Sequence, residues 1–112
     1  SMTPSQVKDA EAKRILDRVP PQFDVVAMTR DGTGMDSSAF AHWLEAKMMD
    51  ASSGVAFVIG GAFGLGDAVL QRSRLRLSLS DMTLPHEMAR LFLAEQLYRA
   101  GTILRGEPYH KG

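Results

Sequence analysis

The chain has 112 residues, 45% of them apolar, with 13 basic and 13 acidic side chains and no cysteine. That length fits one domain, and the charge balance excludes a uniformly basic scaffold that coats nucleic acid, though not a local basic patch. The lack of cysteine excludes disulfide staples and thiolate metal sites and fits a reducing compartment.

Ser1-Met2 reads as a cleavage scar before a start methionine, and residues 1–4 as a disordered start. Around 5–18, apolar residues (Val7, Ala10, Ala12, Ile15, Leu16, Val19) recur at spacings of three and four among charges, which predicts an amphipathic helix stopped by Pro20-Pro21. Phe23–Met28 is apolar, β-branched and short, a predicted strand. The stretch TRDGTGMDSS reads as a loop whose Asp36, Ser37 or Ser38 caps a helix over about 38–51. That helix carries Phe40, Trp43, Leu44, Met48 and Ala51 on one broad face. Val55–Ile59 lacks alternation, as a strand covered on both faces would.

A short helix is expected over Asp67–Arg72, followed by a half-buried strand in which Leu75, Leu77 and Leu79 alternate with Arg74, Arg76 and Ser78. The longest predicted helix spans about 85–104, with Pro85 in its first turn. Its polar side shifts from His86, Glu87 and Arg90 to roughly the opposite side at Glu95, Gln96 and Arg99, so it is packed from several directions, economically by a partner subunit. The order αβαβαβα predicts an α/β fold with a mainly parallel sheet. No run approaches the roughly 18 apolar residues of a membrane span, and no signal-peptide core opens the chain, so a soluble, cytoplasmic domain without membrane contact is expected.

The chemistry concentrates in FVIGGAFGLGD, where a strand breaks into Gly60, Gly61, Gly64 and Gly66. A dinucleotide fingerprint needs G-x-G-x-x-G in the first βα turn with an acid about 20 residues on, and a P-loop needs G-K-[ST]. Neither pattern is present. The glycines alone fit a tight turn between helix and sheet as well as a ligand cradle. A second loop, LSDMTLPH, also follows a strand and opens a helix; two such loops form the usual ligand crevice of an open α/β sheet. With Met28, Leu79, Met82 and Leu84 as apolar walls, such a crevice suits a neutral nucleoside better than a triphosphate.

FVIGGAFGLGDAVLQRS, LSLSDMTLPHEMARLFLAEQLYRA and the terminal PYHKG, in that order and spacing, closely resemble the RlmH family of SPOUT-superfamily methyltransferases, with KRILD and the strand ending at Met28 as weaker matches. The resemblance runs from about residue 8 to the C-terminus. It implies a Rossmann-like sheet with a deep trefoil knot in the half spanning 55–112, a homodimer, and S-adenosylmethionine held bent in the knotted loops. The implied activity is methylation of N3 of a pseudouridine in 23S ribosomal RNA, on the ribosome or its large subunit. Carried over by position, the donor contacts are Met28, Gly61 and the run Leu79, Ser80, Asp81, Met82, Thr83 and Leu84. Asp81 departs from the residue types common there, so its backbone is the expected contact. Family members also begin with a further strand, helix and strand that this chain lacks. Either that segment has been cut away or this is a natural short form that closes the gap through its partner, with donor binding surviving better than catalysis.

Three residues are candidates for the base that takes the imide proton: His86, Tyr109 and His110. His86 opens the last helix, where a local cap or surface contact is the plainer reading. Tyr109 and His110 sit in a tail that the resemblance brings near the target base, where stacking and hydrogen bonding suit an unpaired nucleotide. Arg74 and Arg76 share a strand face that is either ordinary solvated surface or a phosphate contact, which Arg105 and Lys111 would extend. Arg99 with Glu95 is an i,i+4 pair that fits structural support. His42 lacks partners at metal spacing, and no metal is expected. Two competing functions remain: a truncated domain that binds donor or RNA without turnover, and an unrelated α/β interaction domain. A Gly61→Val change is expected to block the donor pocket without preventing dimerisation.

Overall fold

The computed structural model describes residues 1–49, 54–60 and 64–107. Helix α1 (Pro4–Asp17) opens on a capping box the sequence reading did not note: Thr3 Oγ1 accepts from the Gln6 amide, and Gln6 Oε1 accepts from the Thr3 amide. Strand β1 (Asp24–Gly34) follows, then α2 (Ser37–Met49), β2 (Val55–Ile59), α3 (Asp67–Arg72), β3 (Ser73–Ser78) and α4 (His86–Leu104). The strands form one parallel sheet in the order β2-β1-β3.

β1 is central, and its alternation separates two cores. Val25 and Ala27 pack with Ala12, Val58 and Val69 beneath α1 and α3. Val26 packs with Phe40, Leu77, Leu93 and Ala100 beneath α2 and α4, and Met28 lies against the same cluster. Helices therefore cover both faces, which explains the unbroken apolar run Val25-Val26-Ala27. An aromatic cluster of Phe40, Trp43 and Phe57, with ring centroids 6.1–6.4 Å apart, locks α2 onto β2.

Two expectations change. Residues 29–34, read as loop, continue β1: the strand leaves the ladder after Met28 and rejoins at Thr33, and both residues oppose Leu77 on β3. Residues 29–32 thus form a large bulge, closed where Gly32 lies on the Arg76 carbonyl; a Cβ there would fall 2.5 Å from that oxygen. β2 is an edge strand in which only Val58 is buried outright, yet both its faces are covered as expected: Val58 packs with Val25 and Val69, while Val55, Phe57 and Ile59 pack against the Phe40–Leu77 cluster. On α2, Met48 is 67% exposed and so leaves the expected apolar face; Ala51 lies outside the described residues.

The exposed side of α4 carries Met88, Leu91, Phe92 and Tyr98. Among the described residues, Leu93 and Ala100 are buried on one side of the helix and Thr102 on roughly the opposite side near its end. The expected Glu95–Arg99 pair forms, at 2.7 Å.

Candidate functional site

All three strands point their carboxyl ends at one cavity of about 310 Å³. β1 contributes Met28 and, from its bulge, Thr29 and Arg30; β2 contributes Ile59 and Gly60; β3 contributes Leu77 and the loop behind it. That loop supplies Leu79, Ser80, Met82, Thr83 and Leu84, and the first turns of α4 supply His86 and Ala89. The size falls at the lower end of small-ligand pockets, and the wall is apolar with a few polar groups, as such sites require.

Local chemistry holds each wall in place. Ser80 stiffens its loop from both sides: its Oγ accepts from the Met82 amide at 3.0 Å, and its carbonyl accepts from Ser78 Oγ at 2.9 Å. Pro85 at the α4 N-cap position ends the loop and starts the helix. The glycine turn is shaped by the chain's own close approach. A Cβ on Gly60 would meet the Gly64 carbonyl carbon at 2.6 Å, Gly64 itself has φ +85°, and a Cβ on Gly66 would meet the Lys8 carbonyl oxygen of α1 at 2.7 Å. These glycines let backbone lie on backbone and leave the Gly60 carbonyl turned to the second loop.

His86 joins the two loops. Its Nδ1 lies 2.6 Å from the Gly60 carbonyl oxygen. A carbonyl can only accept, so Nδ1 carries the hydrogen, and in the neutral ring Nε2 is left as the basic nitrogen. Within the bulge, Thr29 Oγ1 is buried without a hydrogen-bond partner among the described residues.

The cavity thus gathers Met28, Leu79, Ser80, Met82, Thr83, Leu84 and His86 from the residues singled out in the sequence. Asp81 is exposed and does not line it. Gly61, Tyr109, His110 and Lys111 lie outside the described residues. The arginines stand apart. Arg74 and Arg76 are exposed on β3, and Arg74 reaches Asp24 at 3.6 Å. Arg105 pairs with Glu107 at 2.8 Å, which holds its guanidinium pKa above the usual value, first through the hydrogen bond and then through charge. It follows the last residue of α4, and a 19-residue helix spans roughly 28 Å, so Arg105 is far from the cavity within one chain. Thr29 and Arg30 went unnoticed in the sequence because TRDG was read only as a connection, although it too follows a strand at its carboxyl end.

No group of three or more His, Asp or Glu that could hold a metal occurs among the described residues, and none of their helices is long and apolar enough to cross a membrane. Fold and site together define an open α/β domain with a small-molecule crevice where the strand order reverses, at the carboxyl end of the central strand.

A family model described as "Predicted SPOUT methyltransferase" matches residues 1–110, and the chain belongs to this SPOUT methyltransferase family. Relatives share much of the sequence. A protein of Gemmatimonas aurantiaca named "Ribosomal RNA large subunit methyltransferase H" is 56% identical over 105 residues, covering 94% of this chain and 68% of that protein. Its namesake in Listeria monocytogenes (strain HCC23) is 50% identical over 106 residues, covering 95% and 67%. That of Bacillus pumilus is 47% identical over 105 residues, covering 94% and 66%.

Proposed function

We propose that the protein is an S-adenosylmethionine-dependent methyltransferase acting on N3 of a pseudouridine in 23S ribosomal RNA. The observation that carries this reading is the joining of the two post-strand loops around one cavity, tied by the His86–Gly60 hydrogen bond. The names and identities of the relatives supply the substrate class. The donor set fits an adenosyl group: apolar walls from Met28, Leu79, Met82 and Leu84 flank a flat neutral base, while loop amides and carbonyls offer hydrogen bonds to its edge. Gly61 would complete the cradle beside Gly60.

When bound, the donor supplies an electrophilic methyl on a sulfonium. The chain's own work is to hold two reactants in line, which accounts for most of the rate gain, and to take one proton. In this reading His86 is the base: Gly60 holds its Nδ1–H, and Nε2 takes the N3 proton of the pyrimidine. Tyr109 and His110 would stack on and hydrogen-bond the presented base.

A homodimer with the family's trefoil knot is part of the proposal. The exposed row Met88, Leu91, Phe92 and Tyr98 supports a partner along α4, since apolar side chains grouped on one face mark contact surfaces. A second subunit would also bring another Arg105 and Lys111 toward each cavity, joining Arg74 and Arg76 on the RNA surface. Ribosomal RNA as substrate implies work in the cytoplasm.

Two measurements test the proposal. S-adenosylmethionine at 100 times its dissociation constant should stabilise the protein by about 2.7 kcal/mol, read as a higher melting temperature. Large subunits lacking the modification should gain one methyl at the pseudouridine N3. Binding without transfer would reduce the protein to a donor-binding domain; no shift at all would overturn the proposal.

A further inference from the structure

The bulge that interrupts β1 brings a guanidinium to the cavity. Among the described lining residues, Arg30 is the one Arg or Lys, and no Asp or Glu accompanies it. Arg30 makes no hydrogen bond or ion pair to another described residue. Arg72, by contrast, donates to the Pro21 and Phe23 carbonyls at 3.0 and 2.8 Å, and Arg99 and Arg105 pair with Glu95 and Glu107. The bulge is also fixed. Met28 and Thr33 share Leu77 as their partner, and Gly32 lies too close to the Arg76 carbonyl for the segment to settle further onto the sheet. The Arg30 backbone is therefore anchored on both sides while its side chain stands exposed at the cavity. An exposed guanidinium on an anchored backbone, without a partner among the described residues, at a largely apolar site is an anion receptor, suited above all to a carboxylate, which it can hold through two parallel hydrogen bonds.

This inference rests on the methyl-donor reading. S-adenosylmethionine carries a neutral adenosine, two cationic groups (the sulfonium and the ammonium) and one anion, its carboxylate. We propose that Arg30 is a specificity-determining residue that binds the donor's amino-acid carboxylate and so fixes which end of the donor faces the bulge of β1. Attraction of the carboxylate and repulsion of the sulfonium act in the same sense, so the reacting methyl is turned away from Arg30. A donor lacking the carboxylate would present only positive charge to a cation, and the site discriminates against it.

The test is calorimetric titration of the full chain with S-adenosylmethionine and with decarboxylated S-adenosylmethionine, for the unsubstituted protein, Arg30→Gln and Arg30→Lys. An exposed charge-assisted pair predicts that Arg30→Gln weakens S-adenosylmethionine about 5–10-fold while leaving the decarboxylated analogue within about twofold. Arg30→Lys recovers part of the loss, and the preference of the unsubstituted protein for the carboxylated donor falls as salt is raised. Should Arg30→Gln fail to fold, that preference in the unsubstituted protein carries the same decision. Equal weakening of both ligands, or of neither, overturns the assignment. So does unchanged donor affinity combined with weaker ribosomal RNA binding, which would make Arg30 a phosphate contact. If the unsubstituted protein binds neither ligand, the methyl-donor reading itself fails, an outcome distinct from the loss of Arg30 selectivity alone.

Discussion

Gly60→Ala is the sharpest probe of how the glycine turn builds the site. The added methyl would sit 2.6 Å from the Gly64 carbonyl carbon and 2.9 Å from both the Gly64 oxygen and the Leu65 nitrogen, where ordinary contact begins at 3.4 Å. All three are backbone atoms, so no rotamer change relieves the clash; the turn itself must open. Overpacking of this kind costs about 1–3 kcal/mol. For a domain of about 100 residues, each kcal/mol lowers the melting temperature by roughly 4–8 °C. Gly34→Ala is the internal control, because its Cβ would meet nothing within 4 Å and its backbone is not in the left-handed region. Removing glycine's freedom in the unfolded chain should leave that variant neutral or stabilise it by about 0.4–1 kcal/mol. Opening the turn also moves the Gly60 carbonyl away from His86 Nδ1, so Gly60→Ala should weaken S-adenosylmethionine binding whereas Gly34→Ala should not. Thermal unfolding and calorimetry on the two variants decide the matter. Equal melting temperatures would mean that the backbone contact of Gly60 with Gly64 does not constrain the turn.

Other outcomes follow from the same geometry. His86→Asn, whose amide nitrogen can keep the bond to the Gly60 carbonyl, should lower the methyl-transfer rate about 10²–10⁴-fold with donor affinity nearly kept, and an unchanged single-turnover rate would remove His86 as the base. The Asp24 carboxyl accepts from Lys47 at 3.0 Å, and this hydrogen bond, opposed by burial and aided by the charges of Lys47 and Arg74, holds its pKa below the usual 3.8. A depressed folded-state pKa adds stability that is present above the unfolded value and lost as pH falls through the folded one. Asp24→Asn should therefore cost about 1 kcal/mol at pH 7, and its deficit in urea unfolding should shrink below about pH 4. Leu91→Glu, at a position 65% exposed, should halve the mass measured by light scattering without lowering the monomer's helix content. A persistent dimer would place the contact elsewhere.

The elements were legible where periodicity and punctuation agreed. Pro20-Pro21 ended α1, Leu75 and Leu77 marked β3, and the short apolar, β-branched run Phe23–Met28 placed a strand that the structure puts at the centre of the sheet. The run of β2 likewise marked a strand covered on both faces, but its place at the sheet edge is decided by neighbouring strands distant in sequence, which an apolar run does not report. The end of β1 was hidden for a different reason. Asp31, Gly32, Thr33 and Gly34 have the composition of a turn, yet Thr33 and Gly34 pair with β3, a long-range contact that overrides local preference. The same error concealed Thr29 and Arg30 at the cavity. Most of the loop after β3 was legible because Leu79 to His86 lies in one continuous stretch; the Gly60–His86 hydrogen bond, across 26 positions, was not.

The detour in β1 has a consequence for how this scaffold can diversify. A one-residue slip in a strand swaps its two faces, so a central strand ordinarily tolerates neither insertion nor deletion. Here the ladder resumes on the very partner it left, Leu77, and the four intervening positions hang outside the pairing scheme. They act as an expansion joint: the exposed side chains at Arg30 and Asp31 can be exchanged while both cores keep their register, whereas Gly32, closed on the Arg76 carbonyl, cannot take a side chain. Ligand preference can then drift at that rim without putting the folding of the sheet at risk.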